Sequence, residues 1–158
     1  MIRLIHAEFR KLTTTTLWWW LLLGSLALTA LFVSLSIVFA GSTGDPTPAL
    51  STLDGQRNTL SAASSGTALV GILGAIAMTT EFRHLTATPT FLATPRRGRV
   101  VAAKLITYMI VGFGFGLACL ALTIAIALPW LSAKDITVSL TAPGLLLTAL
   151  GVLAAMTI

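Results

Sequence analysis

The sequence predicts an all-α membrane protein, and three observations carry that reading. Of its 158 residues, 56% are hydrophobic and only 9% are charged, whereas a soluble globular domain carries about a quarter charged residues. The charges fall between long apolar runs, a pattern that excludes a disordered polymer. The basic residues gather in segments that alternate with those runs, which gives a self-consistent membrane topology. A net charge of +5 could suggest nucleic acid. These charges flank membrane runs, so anionic lipid and an acidic partner surface are the expected counterparts and nucleic acid is not.

The chain opens with MIRLIHAEFRKLTTTT. Ile2, Ile5, Phe9 and Leu12 fall at helical spacing, with Arg3, His6, Arg10 and Lys11 away from that stripe. The pattern predicts a short amphipathic helix over residues 1–16, lying on the membrane surface. An ordinary topogenic basic N-terminus fits it equally well. At such an exposed position Glu8 is expected to pair only weakly with its neighbours, Lys11 among them.

Residues 17–40 carry no charge and cover about 36 Å as a helix, enough for a hydrocarbon core of about 30 Å. Trp18, Trp19 and Trp20 lie at one end, where indoles favour the headgroup boundary. The run is longer than the core of a signal peptide, so it reads as a retained span. Residues 41–58, rich in Gly, Pro, Ser and Thr with two Asp, read as a polar loop. The second uncharged run, 59–79, is only mildly apolar. Small residues recur every fourth position at Ala63, Thr67, Gly71 and Ala75, which predicts a helix face that another backbone approaches closely. The third span is 105–130, where Gly112 and Gly116 form a second close-packing pair. Cys119 inside it is a small lipid-facing or packing residue, and a lone cysteine forms no internal disulfide. The fourth run, 142–158, reaches only the lower limit for a span. No polar tail follows it, so the chain is expected to be a fragment of a longer protein.

Arg3, Arg10, Lys11, Arg83, Arg96, Arg97, Arg99 and Lys104 lie on one side, against Arg57 and Lys134 on the other. That imbalance puts the N-terminus and the 80–104 segment in the cytoplasm. Arg3, Arg10, Lys11, Arg96, Arg97, Arg99 and Lys104 are then the groups that fix topology and meet anionic headgroups.

The 80–104 segment is the most polar of the chain. Glu81, Arg83 and His84 stand where the second span leaves the bilayer. Thr88-Pro89 reads as an N-cap followed by proline at the first helical position. Phe91 and Leu92 offer an apolar bump, and Pro95 stops the turn before the arginines. Physically this is a helical knob with a hydrophobic tip and a basic rim, suited to a groove on a cytoplasmic partner. A basic loop that only binds headgroups fits the composition as well.

Other chemistries lack their residues. There is no G-x-x-x-x-G-K-[ST] phosphate cradle, no H-E-x-x-H, no Cys/His cluster and no G-x-S-x-G elbow. His6 and His84 belong to different juxtamembrane segments and read as interfacial. None of the five acidic residues falls at the middle of a span. A charge there costs about 2.5–3.5 kcal/mol and marks ion relays. Its absence argues against proton-coupled transport and intramembrane proteolysis, and for an energy source outside the membrane.

EFRKL near the N-terminus and TTEFRHLTATPTFLATPRRGRVVAAK between the second and third spans resemble the ABC-2 type transporter permeases. The resemblance covers the whole chain, with four of that family's six spans. Many relatives read E-x-R-x-G-T at the start of the loop, where this chain has Leu85. The resemblance implies one permease domain over 1–158, with spans at 17–40, 59–79, 105–130 and 142–158 and a cytoplasmic coupling element at 80–104. It implies a multi-pass protein of the bacterial plasma membrane. It implies a separate ATPase subunit and a second permease subunit, with ATP and Mg bound by the ATPase and no cofactor bound here. Within the coupling element, Glu81, Arg83 and His84 would sit at the membrane edge. Thr86, Thr88, Phe91, Leu92 and Thr94, with Pro89 and Pro95, would form the docking surface. The expected function is export of a hydrophobic or amphiphilic substrate such as a drug, antibiotic or lipid-like molecule. The alternative is a non-transporting anchor or assembly protein whose basic loop binds lipid or a partner.

Overall fold

The computed structural model describes residues 2–40, 48–83, 97–134 and 143–157. All regular structure among them is helical: α1 (Ile2–Thr14), α2 (Leu17–Phe39), α3 (Leu53–Ser61), a 3₁₀ segment (Ala62–Gly66), α4 (Thr67–Arg83), α5 (Arg97–Ser132) and α6 (Pro143–Thr157). In hydrocarbon every backbone amide must find a partner within its own segment, and helices achieve this. Three helical stretches are long and apolar enough to cross a membrane: Leu17–Phe39, Leu53–Thr79 and Val100–Ser132. Gly144–Thr157 is a shorter apolar helix. Large apolar side chains such as Leu147 (68% exposed) and Leu150 (61%) cover the outside of the bundle. Such a surface suits lipid rather than water.

Several features differ from those read in the sequence, and one is that residues 80–83 of the expected 80–104 loop are the last turn of α4. Residues 53–58, expected in a polar loop, are helical. The Thr52 hydroxyl accepts from the Gly55 amide at 3.1 Å and caps α3. It also donates to the Ala49 carbonyl at 2.7 Å. A Cβ at Gly55 would collide with the Pro48 and Ala49 backbone, so this turn requires glycine. The third span starts earlier than residue 105. Helix α5 already runs from Arg97, so Lys104 lies in a helix and not in a loop. At 36 residues α5 is about 54 Å long, so it extends well beyond a bilayer core.

A further difference lies inside the second span, which is not one regular α-helix. The 3₁₀ segment interrupts it, and three hydroxyls favour the tighter turn. Ser61, Ser64 and Thr67 donate to the carbonyls of Asn58, Ser61 and Ser64, three residues back, at 2.8, 2.7 and 2.6 Å. The segment packs on α2 so closely that a Cβ on Gly66 would overlap Ser25. Gly66 meets Ser25 while Leu69 meets Gly24, so the two helices run antiparallel.

Helix α6 packs antiparallel on α5. Gly112 faces the Met156 backbone, and Gly116 faces the Leu153 and Met156 side chains. Leu60, Ala63, Cys119, Leu120, Leu145, Val152 and Met156 form the core around that crossing. Ala63 is fully buried. Thr67 is half-buried, whereas Gly71 and Ala75 are exposed and a Cβ on Gly71 would meet nothing. The small-residue stripe thus splits into a packed half and an open half. Cys119 is a packing residue, with Sγ 3.9 Å from the Ser25 hydroxyl. Several buried hydroxyls along the helices donate to carbonyls of their own turn, as Ser25 does to Leu22 and Thr123 to Cys119.

Gly112→Ala must push the Met156 backbone aside and should lower stability by about 1–3 kcal/mol. Gly114, two residues on, faces open space, so Gly114→Ala should leave stability unchanged or raise it. Thermal unfolding of both variants in lipid nanodiscs, followed by near-UV circular dichroism, checks the contrast.

Candidate functional site

The apolar stripe of α1 turns partly inward. Ile2 is 84% exposed, but Leu12 is buried with Leu73 of α4 and Val111 and Phe115 of α5. Phe9 and Trp18 pack against the same cluster. Trp19 and Trp20 of α2 point outward, in keeping with a headgroup position at this end of the bundle.

One turn before Leu12, the structure overturns the expectation of an exposed, weakly paired Glu8. Glu8 is only 6% exposed and Lys104 only 4%. One carboxylate oxygen of Glu8 accepts from the Lys104 Nζ at 2.7 Å, and the other accepts from the Lys11 Nζ at 2.9 Å. Lys104 also lies 6.0 Å from the centroid of the Tyr108 ring. The two partners of the buried bridge are 96 residues apart in sequence. Glu8 sits on the same helical face as Ile5 and Leu12. A carboxylate on an otherwise apolar face is the signal in the sequence that could have disclosed a buried counter-charge. Which lysine supplied it was not readable.

Glu8 thus holds a lysine on each of its carboxylate oxygens, one from its own helix and one from α5. What the pair does is mechanical. It ties α1 to the first turns of α5, a short distance after the chain re-enters a helix at Arg97. Helix α4 ends at Arg83 on the same side of the bundle, so both ends of the 84–96 segment meet at the α1 end. Glu81 and Arg83 fall in the last turn of α4, and Arg97 and Arg99 in the first turn of α5. His84, Thr86, Thr88, Pro89, Phe91, Leu92, Thr94, Pro95 and Arg96 lie outside the described residues. Arg10 and Lys11 are on exposed parts of α1. Among the described residues no group of three or more His, Cys, Asp or Glu side chains is placed to hold a metal ion.

Three long apolar helices define a multi-pass helical membrane protein. More particularly, the chain belongs to the ABC-2 family of transporter proteins, whose sequence model matches residues 4–158. That family is a membrane component of ABC transport systems, not itself an ATPase, and associates in general with an ABC ATPase subunit. No curated protein and no solved structure matches the chain.

The two halves of the bridge should not respond alike. Glu8→Gln replaces the charged partner of the buried Lys104 and of Lys11 by a neutral one and should destabilise by about 3–5 kcal/mol. Lys104→Met leaves Glu8 paired with the half-exposed Lys11 and should cost less. The exchange Glu8→Lys with Lys104→Glu restores the inter-helix pair but sets the new lysine against Lys11, so it should recover only part of the loss. Denaturant titration of the four proteins in detergent micelles reads the order directly.

Proposed function

We propose that the chain is the permease subunit of an ATP-driven exporter, with its N-terminus and the 84–96 segment in the cytoplasm. The single observation that carries this reading is the family match over 4–158, from near the first residue to the last. The distribution of charge supports the orientation. Eight lysines and arginines lie on the α1 side and two on the other.

In this reading an ABC ATPase subunit binds ATP and Mg, and two permease subunits assemble around a pathway. Thr86, Thr88, Phe91, Leu92 and Thr94 form the surface that docks on the ATPase, flanked by Pro89 and Pro95. Glu81, Arg83 and His84 pass the movement to α4. The bridge from Glu8 to Lys104 passes it to α1, because α1 and the start of α5 are bound as one body. Arg3, Arg96, Arg97 and Arg99 hold this end at anionic headgroups, at about 1 kcal/mol per basic residue. The apolar spans dotted with serine and threonine suit a hydrophobic or amphiphilic cargo.

Deleting residues 86–95 should abolish co-purification of the ATPase subunit while the permease still inserts. Phe91→Asp with Leu92→Asp should uncouple ATP hydrolysis from transport. Full-rate transport by that double variant, measured in proteoliposomes with the ATPase subunit present, overturns the coupling role.

A further inference from the structure

A groove of about 440 Å³ opens between α2 and the α3–3₁₀ segment, in the half of the bundle farther from α1. That size falls within the range of about 300–1,000 Å³ found for small-molecule clefts. Its two walls differ in chemistry. The α2 wall presents Phe32, Leu35 and Phe39 with one hydroxyl, Ser36, which donates to the Val33 carbonyl of its own helix. The opposite wall presents Asn58, Ser61, Ser64 and Ser65, with Ala62 between them.

Ser61 and Ser64 spend their protons on their own helix, which leaves lone pairs facing the groove side. Asn58 is exposed, and its carboxamide makes no hydrogen bond among the described residues. The Ser65 hydroxyl is buried and has no hydrogen-bond partner. Acyl chains satisfy none of these groups, and unpaired donors and acceptors are costly in a membrane. Polar side chains within spans accordingly face protein or a polar-lined cavity. Among the described residues, no charged side chain lines the groove.

We infer that this groove binds the polar end of a neutral, hydroxyl- or carbonyl-bearing amphiphile, whose apolar body lies against Phe32 and Phe39. The inference rests on the transport reading and names the class of substrate. A second helix fits the groove poorly. Close helix contact is built on small residues, and the open small-residue face, Gly71, Gly74 and Ala75, borders a different groove between α4, α5 and α6. Carboxylate-, phosphate- and ammonium-bearing amphiphiles are disfavoured because none of the described groove residues neutralises a charge.

The test uses the full chain in phosphatidylcholine nanodiscs with a photoactivatable diacylglycerol, and phosphatidic acid of the same acyl chains as the charged comparison. Adducts are mapped by peptide mass spectrometry. Diacylglycerol should label 32–39 and 58–65 well above phosphatidic acid. Asn58→Leu with Ser65→Ala should reduce that labelling about fivefold to tenfold, the effect of losing one or two hydrogen bonds. Ser36→Leu, which fills the groove from the α2 wall, should reduce it similarly. Ser34→Ala, outside the groove, should not. Equal labelling by both lipids, labelling indifferent to the variants, or adducts replaced by cross-links to a second copy would each overturn the inference. Labelling needs no ATPase. A chain that labels as expected yet recruits no ATPase subunit contradicts the transport reading and leaves this site standing.

Discussion

The Glu8 carboxylate, held between Lys104 and Lys11, is the interaction on which the functional end of this molecule depends. An amphipathic helix at a membrane surface is ordinarily held by partition of its apolar face, an attachment that slides and tilts. A buried, hydrogen-bonded ion pair is different. Removing one partner leaves a charge without solvent, so the pair resists separation more than its net contribution to folding would suggest. Here it sets the position of α1 against α5, while Leu12 fixes the next turn against Leu73, Val111 and Phe115. Two turns of α1 are thereby part of the bundle.

The rest of the bundle is held by close approach. Hydrophobic contact supplies little drive between helices already in lipid, so packing and backbone proximity take its place. Gly66 against Ser25 and Gly112 against Met156 are two close crossings, and a Cβ at either glycine would overlap its neighbour. The 3₁₀ segment belongs to the first of them. Its serine and threonine hydroxyls bind their own backbone three residues back, so the helix tightens where it must pass α2. The same stretch leaves Asn58 exposed and the buried Ser65 hydroxyl without a hydrogen-bond partner among the described residues. Packing and the proposed binding groove thus arise from one short stretch of sequence.

Much of this was legible in the sequence because hydrophobic length and charge placement act locally. The runs at 17–40, 59–79 and 105–130 correspond to the three long apolar helices. What sequence could not show were relations between distant residues. The 59–79 run gives no sign that Gly66 needs Ser25 beside it. Nothing near Lys104 marks it as the partner of Glu8. The small-residue period at Ala63, Thr67, Gly71 and Ala75 is uniform in sequence, yet only its first half is packed, because α2 and α5 pass there and leave Gly71 open. The start of α3 was hidden by a composition that suits loops. Thr52 and Gly55 are turn residues, and here they begin a helix by capping it.

Hydrogen–deuterium exchange of α1 in lipid nanodiscs tests the central claim most directly. If Glu8 ties α1 to α5, amides of residues 5–12 are protected to the same degree as those at the start of α5. Glu8→Gln then releases α1 selectively, with α2 unchanged. If α1 is held by lipid alone, its amides exchange fast in the wild-type chain and equally fast in Glu8→Gln. That result would contradict the account.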